Sequence, residues 1–339
     1  MKRTINVVLC ITVFALLLSV FCGCSGRNSD AADSKSINIG EGVQVAEGMP
    51  KELRFVLVPK VVHPWYDAVK KGAEEAAAML TKTTGTKVVI DWAAPVKADV
   101  ALHTNTIEQT IATKPDGLAI AVLDAQANTP QILEAQKRGI ATLVFDSLPP
   151  EGTNVTAIGT DYFKDGYTIA KKLAEDMGGK GDVGLLLGFP TAPNHKMRVD
   201  GIKAALAEYP GIKIVGEAND NDSLDESVKA ASQLIAAHPS ITGMIGPDAA
   251  APIGIGIAIK EANKVGTIKL VGLADLDEMI EDVRNGVASC TLVHRTRQIG
   301  WWITMLLYSA NTGGDMPTFV DAGTFMVYPE DVDSFKDRL

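Results

Sequence analysis

The chain has 339 residues, 46% of them hydrophobic, and carries 41 acidic against 32 basic side chains for a formal charge of −9. No segment concentrates Lys and Arg, which disfavours nucleic-acid binding. The length beyond the N-terminal region allows two domains of ordinary size.

In chain order, Lys2 and Arg3 precede an apolar run from Val7 to Phe21, the polarity and length of a signal peptide. Phe21-Cys22-Gly23-Cys24-Ser25 follows, and the chain turns polar from Gly26 to Asp30. A small residue directly before Cys is the pattern of a bacterial lipoprotein signal. Cys24, after Gly23, is therefore the expected acylated residue, in preference to Cys22 after bulky Phe21. The alternatives are an uncleaved anchor or cleavage without lipid. Export is expected, with the anchor holding the protein on the outer side of the cytoplasmic membrane or in the periplasm. Cys10 and Cys22 would leave with the signal, so Cys290 is the one internal thiol and no disulfide framework is expected. In "VASCTLVH" Cys290 reads as a buried strand residue. Asn28 to Pro50 is rich in Ser, Asp, Gly and Ala and reads as a flexible tether.

From Leu53 onward short apolar, β-branched runs alternate with amphipathic ones. "LRFVLV", "KVVIDW", "GLAIAV" and "ATLVFD" read as strands, separated by "WYDAVKKGAEEAAAML", "VALHTNTIEQTIAT" and "NTPQILEAQKRG" at helical spacing. The second half repeats this: strands "DVGLLLGF", "KIVGEA", "ITGMIG", "IKLVGLA" and "ASCTLVH", helices "DGYTIAKKLAEDM", "KMRVDGIKAALAEY", "DESVKAASQLIAAH" and "PIGIGIAIKEANK". Runs that are apolar throughout are buried on both faces, which indicates parallel sheets flanked by helices. The expected fold class is α/β, with two doubly wound parallel-sheet (Rossmann-like) domains.

Ligands of such sheets bind beyond the C-terminal ends of the strands, so the residues just after each strand carry the functional information. They are Lys60, His63, Trp65 and Tyr66 after the first strand, Asp124 after "GLAIAV" and Asp146 after "ATLVF". The second half adds Asn194, His195 and Arg198, the Asn219–Ser223 run, Pro247 with Asp248, Asp275, and His294. Carboxylates, an amide, imidazoles, a guanidinium and two aromatic rings at one level suit a polyhydroxylated ligand. Hydroxyls need paired donors and acceptors, and sugar C–H faces stack on rings. Several of these residues have plainer readings. Asp124, Asp220, Asp222 and Asp275 are also natural helix N-caps, and Asn219–Ser223 reads as turn and cap, without the spacing of a calcium loop. His103 and His238 fall away from the strand ends and read as solvated or structural. No GxSxG, GxxxxGK[ST], HExxH or close Cys/His set is present. Neither an enzyme, a metal site nor a cofactor is expected.

From Leu53 to Tyr328 the order of these segments resembles the type I periplasmic sugar-binding proteins of ABC importers, the ribose- and galactose-binding group. "HPWYDAVKKGAEEAA" is similar to that family's Asn-Pro-Phe-Phe stretch, "MRVDGIKAAL" to its Arg-x-x-Gly-Phe helix and "AAHPSITGMIGPD" to its His-Pro strand. The crossover "GTDYFKDGYTIAKKLAE" and the passage from Lys269 to Trp302 follow the same order. The resemblance implies an extracytoplasmic binding protein that closes on a monosaccharide or polyol and delivers it to an ABC permease. It implies Trp65 and Tyr66 as stacking aromatics, His63 in place of an amide, Asp146 and Arg198 on ligand hydroxyls, and His294 where a Gln is usual. It also implies a three-strand hinge near Ile158–Asp161, Val293–Arg295 and Pro317–Val320. The lobes are then 51–159 with 295–320 and 160–294 with 321–339, after a signal with lipidated Cys over 1–24 and a tether over 25–50. On this reading, removing Trp65 costs affinity with little loss of folding.

Pro247 replaces an amide-bearing residue, Asp275 falls one place late, and Ser147 stands where the ribose binder has Arg, which argues against ribose. Lys60, Asp146, Pro247 and Ala249 are similar to positions of autoinducer-2 binders, the alternative ligand class. Asn194-His195 and Arg198 depart from that pattern. Presentation of the closed form to a chemoreceptor is compatible with transport. A sugar-modifying enzyme built on Asp146 and Asp275 has no supporting motif. A transcription regulator would need a DNA-binding segment where the export signal stands.

Overall fold

A computed structural model describes residues 45–338, so the expected signal, the lipidated Cys24 and the tether up to residue 44 lie outside the described residues. The first half alternates β1 (Glu52–Val58), α1 (Trp65–Thr84), β2 (Lys87–Trp92), α2 (Val100–Ala112), β3 (Gly117–Ile120), α3 (Ala125–Lys137), β4 (Ala141–Phe145) and β5 (Thr156–Gly159). The second half continues with α4 (Tyr162–Asp176), β6 (Lys180–Leu186), α5 (Pro193–Ala207), β7 (Gly211–Ala218) and α6 (Leu224–Ala237). There follow β8 (Ile241–Ile245), α7 (Ala250–Glu261), β9 (Lys269–Gly272), α8 (Asp277–Arg284), β10 (Cys290–His294), α9 (Thr296–Asn311), β11 (Phe319–Asp321) and β12 (Thr324–Val327).

These strands form two six-stranded sheets, ordered β11-β5-β4-β3-β1-β2 and β12-β10-β9-β8-β6-β7. Pairing is parallel throughout except where β12 runs antiparallel to β10. The α/β class with two doubly wound sheets is the one read from the alternating pattern. Each strand order reverses once, at β3-β1 and at β8-β6, and those crevices lie beyond the C-terminal strand ends where ligands bind. β3, β4 and β5 are buried along almost their whole length, as the uninterrupted apolar runs require. Cys290 is a buried free thiol on β10, its pKa raised to about 11 by burial.

The chain passes between sheets three times. After β5 it leaves through Thr160, and after β10 it returns into α9. The third crossing runs from Asp321 to Thr324 between β11 and β12, a few residues beyond the expected Pro317–Val320. The difference has a local cause. Phe319–Asp321 pairs in register with Ala157–Gly159 and so stays in the first sheet, and the turn is made at Gly323 with φ of 79°.

The two helices that follow crossings each dock on a helix whose N-terminus carries strand-end residues. α9 lies against α1 through Gly300 and Gly72, and α4 lies against α5 through Gly166 and Gly201. At each of these glycines an added methyl would overlap a backbone carbonyl of the facing helix: that of Val69, Arg297, Arg198 or Phe163 respectively. The backbones therefore touch, and α1 and α5 are held against the hinge elements without intervening side chains. Gly300→Ala should push α9 off α1 and lower stability by roughly 1–3 kcal/mol. A urea midpoint matching the parent would show that the helices part without cost.

Candidate functional site

β1 and β4 lie on either side of β3 in the first sheet, and the turns that follow them bring Lys60 and Asp146 to one point. Lys60 Nζ donates to Asp146 Oδ2 at 2.6 Å and to its backbone oxygen at 2.9 Å, and the Lys60 side chain is 1% exposed. Asp146 adopts φ of 46°, a left-handed conformation uncommon for a residue with a Cβ. This turn aims the carboxylate back across the strand ends. Tyr66 Oη donates to the same Oδ2 at 3.0 Å, and Asn194 Nδ2, from the second lobe, donates to Oδ1 at 3.1 Å. Arg198 Nη2 stands 4.0 Å from Oδ1. Burial alone would raise the Asp146 pKa, but the Lys60 charge, then that of Arg198, holds it below the usual carboxylate range. Burial, followed by the Asp146 charge, pushes the Tyr66 phenol well up, so it stays a donor.

Around this carboxylate lies a cavity of about 20 Å³, walled from the first lobe by His63, Trp65, Tyr66 and Asp146. His195, Arg198, Asp222, Asp248, Ala249 and Leu273 close it from the second lobe, with His294 at the hinge. A space of that size holds about one water molecule. Arg198 lies 4.9 Å above the Tyr162 ring and donates from Nη1 to the Pro247 carbonyl at 3.1 Å. Its Nε is buried without a partner, as are His63 Nε2, Asn194 Oδ1, Asp248 Oδ2 and His294 Nδ1.

Backbone donors settle two imidazole tautomers. Trp65 N donates to His63 Nδ1 at 3.1 Å and Phe189 N donates to His195 Nδ1 at 2.9 Å. Each ring therefore carries its proton on Nε2 when neutral. Burial lowers the His195 pKa to about 4, which keeps it neutral. Gly188, just before Phe189, has φ of 66°, and an added Cβ would press on His195 and Asp248.

The structure brings eight of the thirteen expected residues onto the cavity wall; Lys60, Asn194 and Pro247 stand directly behind it as partners of Asp146 or Arg198. Asp124 is placed elsewhere, its Oδ1 accepting from Ala127 N as the N-cap of α3. Asp275 accepts from Thr296 Oγ1 and lines a neighbouring groove beside Trp65. Trp65 and Tyr66 both line the cavity, but their rings are edge to face, 5.1 Å apart, and Tyr66 spends its hydroxyl on Asp146. Both rings also belong to the buried apolar cluster of α1. Truncating Trp65 therefore costs packing as well as contact, contrary to the expectation of a residue separable from folding. His103 is fully buried rather than solvated.

Sequence reasoning assigned Asp222 to a turn; it does occupy one, with φ of 55°, yet it also lines the cavity. Its position just after β7 is the signal that could have found it. Behind it, Asp220 and Asp248 form a buried acidic pair. Burial, then the Asp222 charge, raises Asp220 to about 6, and burial, then the Asp220 and Asp222 charges, raises Asp248 well above the usual carboxylate range. Asp248 Oδ1 accepts from Ala250 N and Ala251 N, while its Oδ2 and Asp220 Oδ1 have no donor of their own. The two carboxyls are within hydrogen-bonding reach of each other.

A family model described as a periplasmic binding protein domain matches residues 55–315. The chain is 24% identical over 196 residues to the D-ribose/D-allose-binding protein of Pseudomonas aeruginosa, covering 56% of this chain and 61% of that protein. To the xylitol-binding protein of Mycolicibacterium smegmatis it is 25% identical over 189 residues, covering 56% and 54%. These matches thus span little more than half the length of either relative. Among solved structures, a solute-binding protein of Burkholderia graminis in complex with D-arabinose superposes with a TM-score of 0.77 at 26% identity. That match covers 83% of this chain and 97% of the other.

The acidic pair makes a testable contribution to stability. Because the Asp220 pKa is raised on folding, its effect is favourable below about pH 4 and is lost as pH climbs through about 6. Asp220→Asn supplies a permanent N–H in place of the Asp220 proton and carries no charge at any pH. Its advantage over the parent should be near zero at pH 4 and grow to about 2–3 kcal/mol above pH 7. Chemical denaturation at both pH values reads the difference, and a gap that does not widen with pH would refute the raised Asp220 pKa.

Proposed function

The chain belongs to the type I periplasmic binding protein family, whose members bind solutes and are not enzymes, and on that premise we propose that it captures a monosaccharide or polyol between its lobes for delivery to an ABC importer. The observation that carries the reading is the set of buried, unpartnered polar atoms on both walls of one cavity. Arg198 Nε, His63 Nε2, Asp248 Oδ2 and His294 Nδ1 include both hydrogen-bond donors and acceptors, beside two aromatic rings. A ligand bearing several hydroxyls meets both kinds, because each hydroxyl donates once and accepts elsewhere. The relatives named for ribose, allose and xylitol, and the arabinose complex, support the same ligand class.

Binding requires the lobes to part, because about 20 Å³ admits nothing larger than water. Opening separates Asn194 and Arg198 from Asp146. A sugar that enters then exchanges their mutual contacts for bonds to its hydroxyls, and the lobes close over it. Closure is favoured by the ligand's differential affinity for the two arrangements. His63, Trp65, Tyr66 and Asp146 act from one side and Asn194, His195, Arg198 and Asp248 from the other, with His294 at the hinge. Lys60 and Pro247 support Asp146 and Arg198. Export with acylation at Cys24 belongs to the same reading and rests on the Gly23-Cys24 sequence.

A thermal-shift screen across pentoses, hexoses, polyols and autoinducer-2 tests the proposal, since a ligand of the folded state raises Tm. At least one pentose, hexose or polyol should do so. Arg198→Met keeps the stem over Tyr162 and removes the charged donors, so calorimetry should show affinity for that compound reduced at least about a hundredfold. A flat screen, or a variant that binds like its parent, would count against the reading.

A further inference from the structure

Asp165, on the first turn of α4, touches a residue at each of the three crossings. Thr160 Oγ1, just after β5, donates to its Oδ2 at 2.6 Å. His294 Nε2, at the end of β10, lies 3.1 Å from the same oxygen, and Thr324 Oγ1, at the start of β12, lies 3.5 Å from Oδ1. Thr324 and His294 are themselves paired across the antiparallel β10–β12 ladder. One buried carboxylate thus gathers the points where all three strands meet the second lobe.

The same contact decides the state of a cavity-lining imidazole. His294 Nε2 has two neighbours, Asp165 Oδ2 at 3.1 Å and Arg198 Nη2 at 3.3 Å. It donates to the first or accepts from the second. A buried carboxylate facing an imidazole lone pair is strongly unfavourable, and a hydrogen bond to an ionised acceptor is about twice as strong as a neutral one. Arg198 has other acceptors in the Pro247 carbonyl and the Tyr162 ring face. In the neutral ring the proton therefore sits on Nε2, and Nδ1, which has no partner in the protein, keeps its lone pair. Burial works to raise the Asp165 pKa, but the His294 contact and the Arg198 charge bring it below its ordinary value, so it is an acceptor.

We propose that Asp165 is a positioning residue that clasps the three interlobe crossings and holds His294 with Nδ1 as a hydrogen-bond acceptor for the ligand. The last part rests on the reading of the cavity as a sugar site. It adds a selection rule: the ligand group nearest His294 must bring a hydrogen, so a hydroxyl is taken there and an ether or deoxy position is not. It also frees Arg198 Nη2 for the ligand, since Nε2 no longer accepts from it.

Two measurements test this. Long-range ¹H–¹⁵N spectra of the full-length protein, with His294 assigned through His294→Gln, should show Nε2 protonated and Nδ1 bare at pH 8. Asp165→Ala should give mixed tautomers, and Asp165→Asn, whose carboxamide oxygen can still accept, should restore the parent state. Calorimetry with D-ribose, D-allose, D-arabinose and xylitol should show the best of these binding about tenfold more weakly to Asp165→Ala and within about threefold of the parent to Asp165→Asn. A parent His294 protonated on Nδ1 overturns the proposal without any variant. So does an Asp165→Ala protein with unchanged tautomer and affinity. Should none of the four bind the parent, the cavity reading falls and the imidazole spectra alone decide for Asp165.

Discussion

The cleft depends on one buried ion pair. Moving the Asp146 carboxylate out of water is costly unless its lone pairs are met, and breaking such a pair costs about 3–5 kcal/mol because a charge is left buried alone. Lys60 meets the cost from the turn after β1, Tyr66 from the first turn of α1, and Asn194 from the opposite lobe. Two of the three partners belong to the first lobe, so the carboxylate is fixed whether or not the second lobe is in contact. The third bond forms only when the lobes meet. Asp146 is therefore a fixed post in one lobe that the other lobe, or a bridging ligand, completes.

A post of this kind is useful only if the groups that approach it arrive in the right place. Asn194, His195 and Arg198 all sit in the first two turns of α5, and Gly166 of α4 touches the Arg198 carbonyl. α4 begins immediately after a crossing. In the first lobe α9 likewise begins after a crossing and meets α1, the helix of Trp65 and Tyr66, through Gly72 and Gly300. Both walls of the cavity are thus coupled to the hinge by backbone contact, with no flexible side chain between. Interiors packed this closely move as bodies rather than deform. The two lobes consequently share one mechanical plan, seen also in their matching strand orders.

Much of this could be read from the sequence. The fully apolar runs gave parallel strands, and β2 begins and ends where "KVVIDW" does. Residues after the strands could be singled out because topology alone places them together, and eight of the thirteen line one cavity. What could not be read was how each side chain is spent. Asp124 and Asp146 follow similar runs, yet one caps a helix and the other anchors the cleft, because the Lys60 ammonium, from the turn after β1, reaches past β3 to Asp146. Asp165 and Thr324 gave no signal, since they lie far apart in sequence and are joined only through the antiparallel pairing of β12. The third crossing was misplaced for the same reason: a three-residue edge strand carries almost no periodicity.

The histidines show most clearly what the fold adds. By composition, three imidazoles around a cavity are interchangeable donors or acceptors. By position they are distinct: backbone N–H groups occupy Nδ1 of His63 and His195, making each a donor at Nε2, whereas a carboxylate occupies Nε2 of His294 and leaves an acceptor. A hydroxylated ring spanning the cleft must match that order of donors and acceptors, and an unmatched group leaves a buried atom unsatisfied at about 1–3 kcal/mol. Selectivity on the proposed reading is therefore set less by which residues line the cavity than by which of their atoms the backbone has already claimed.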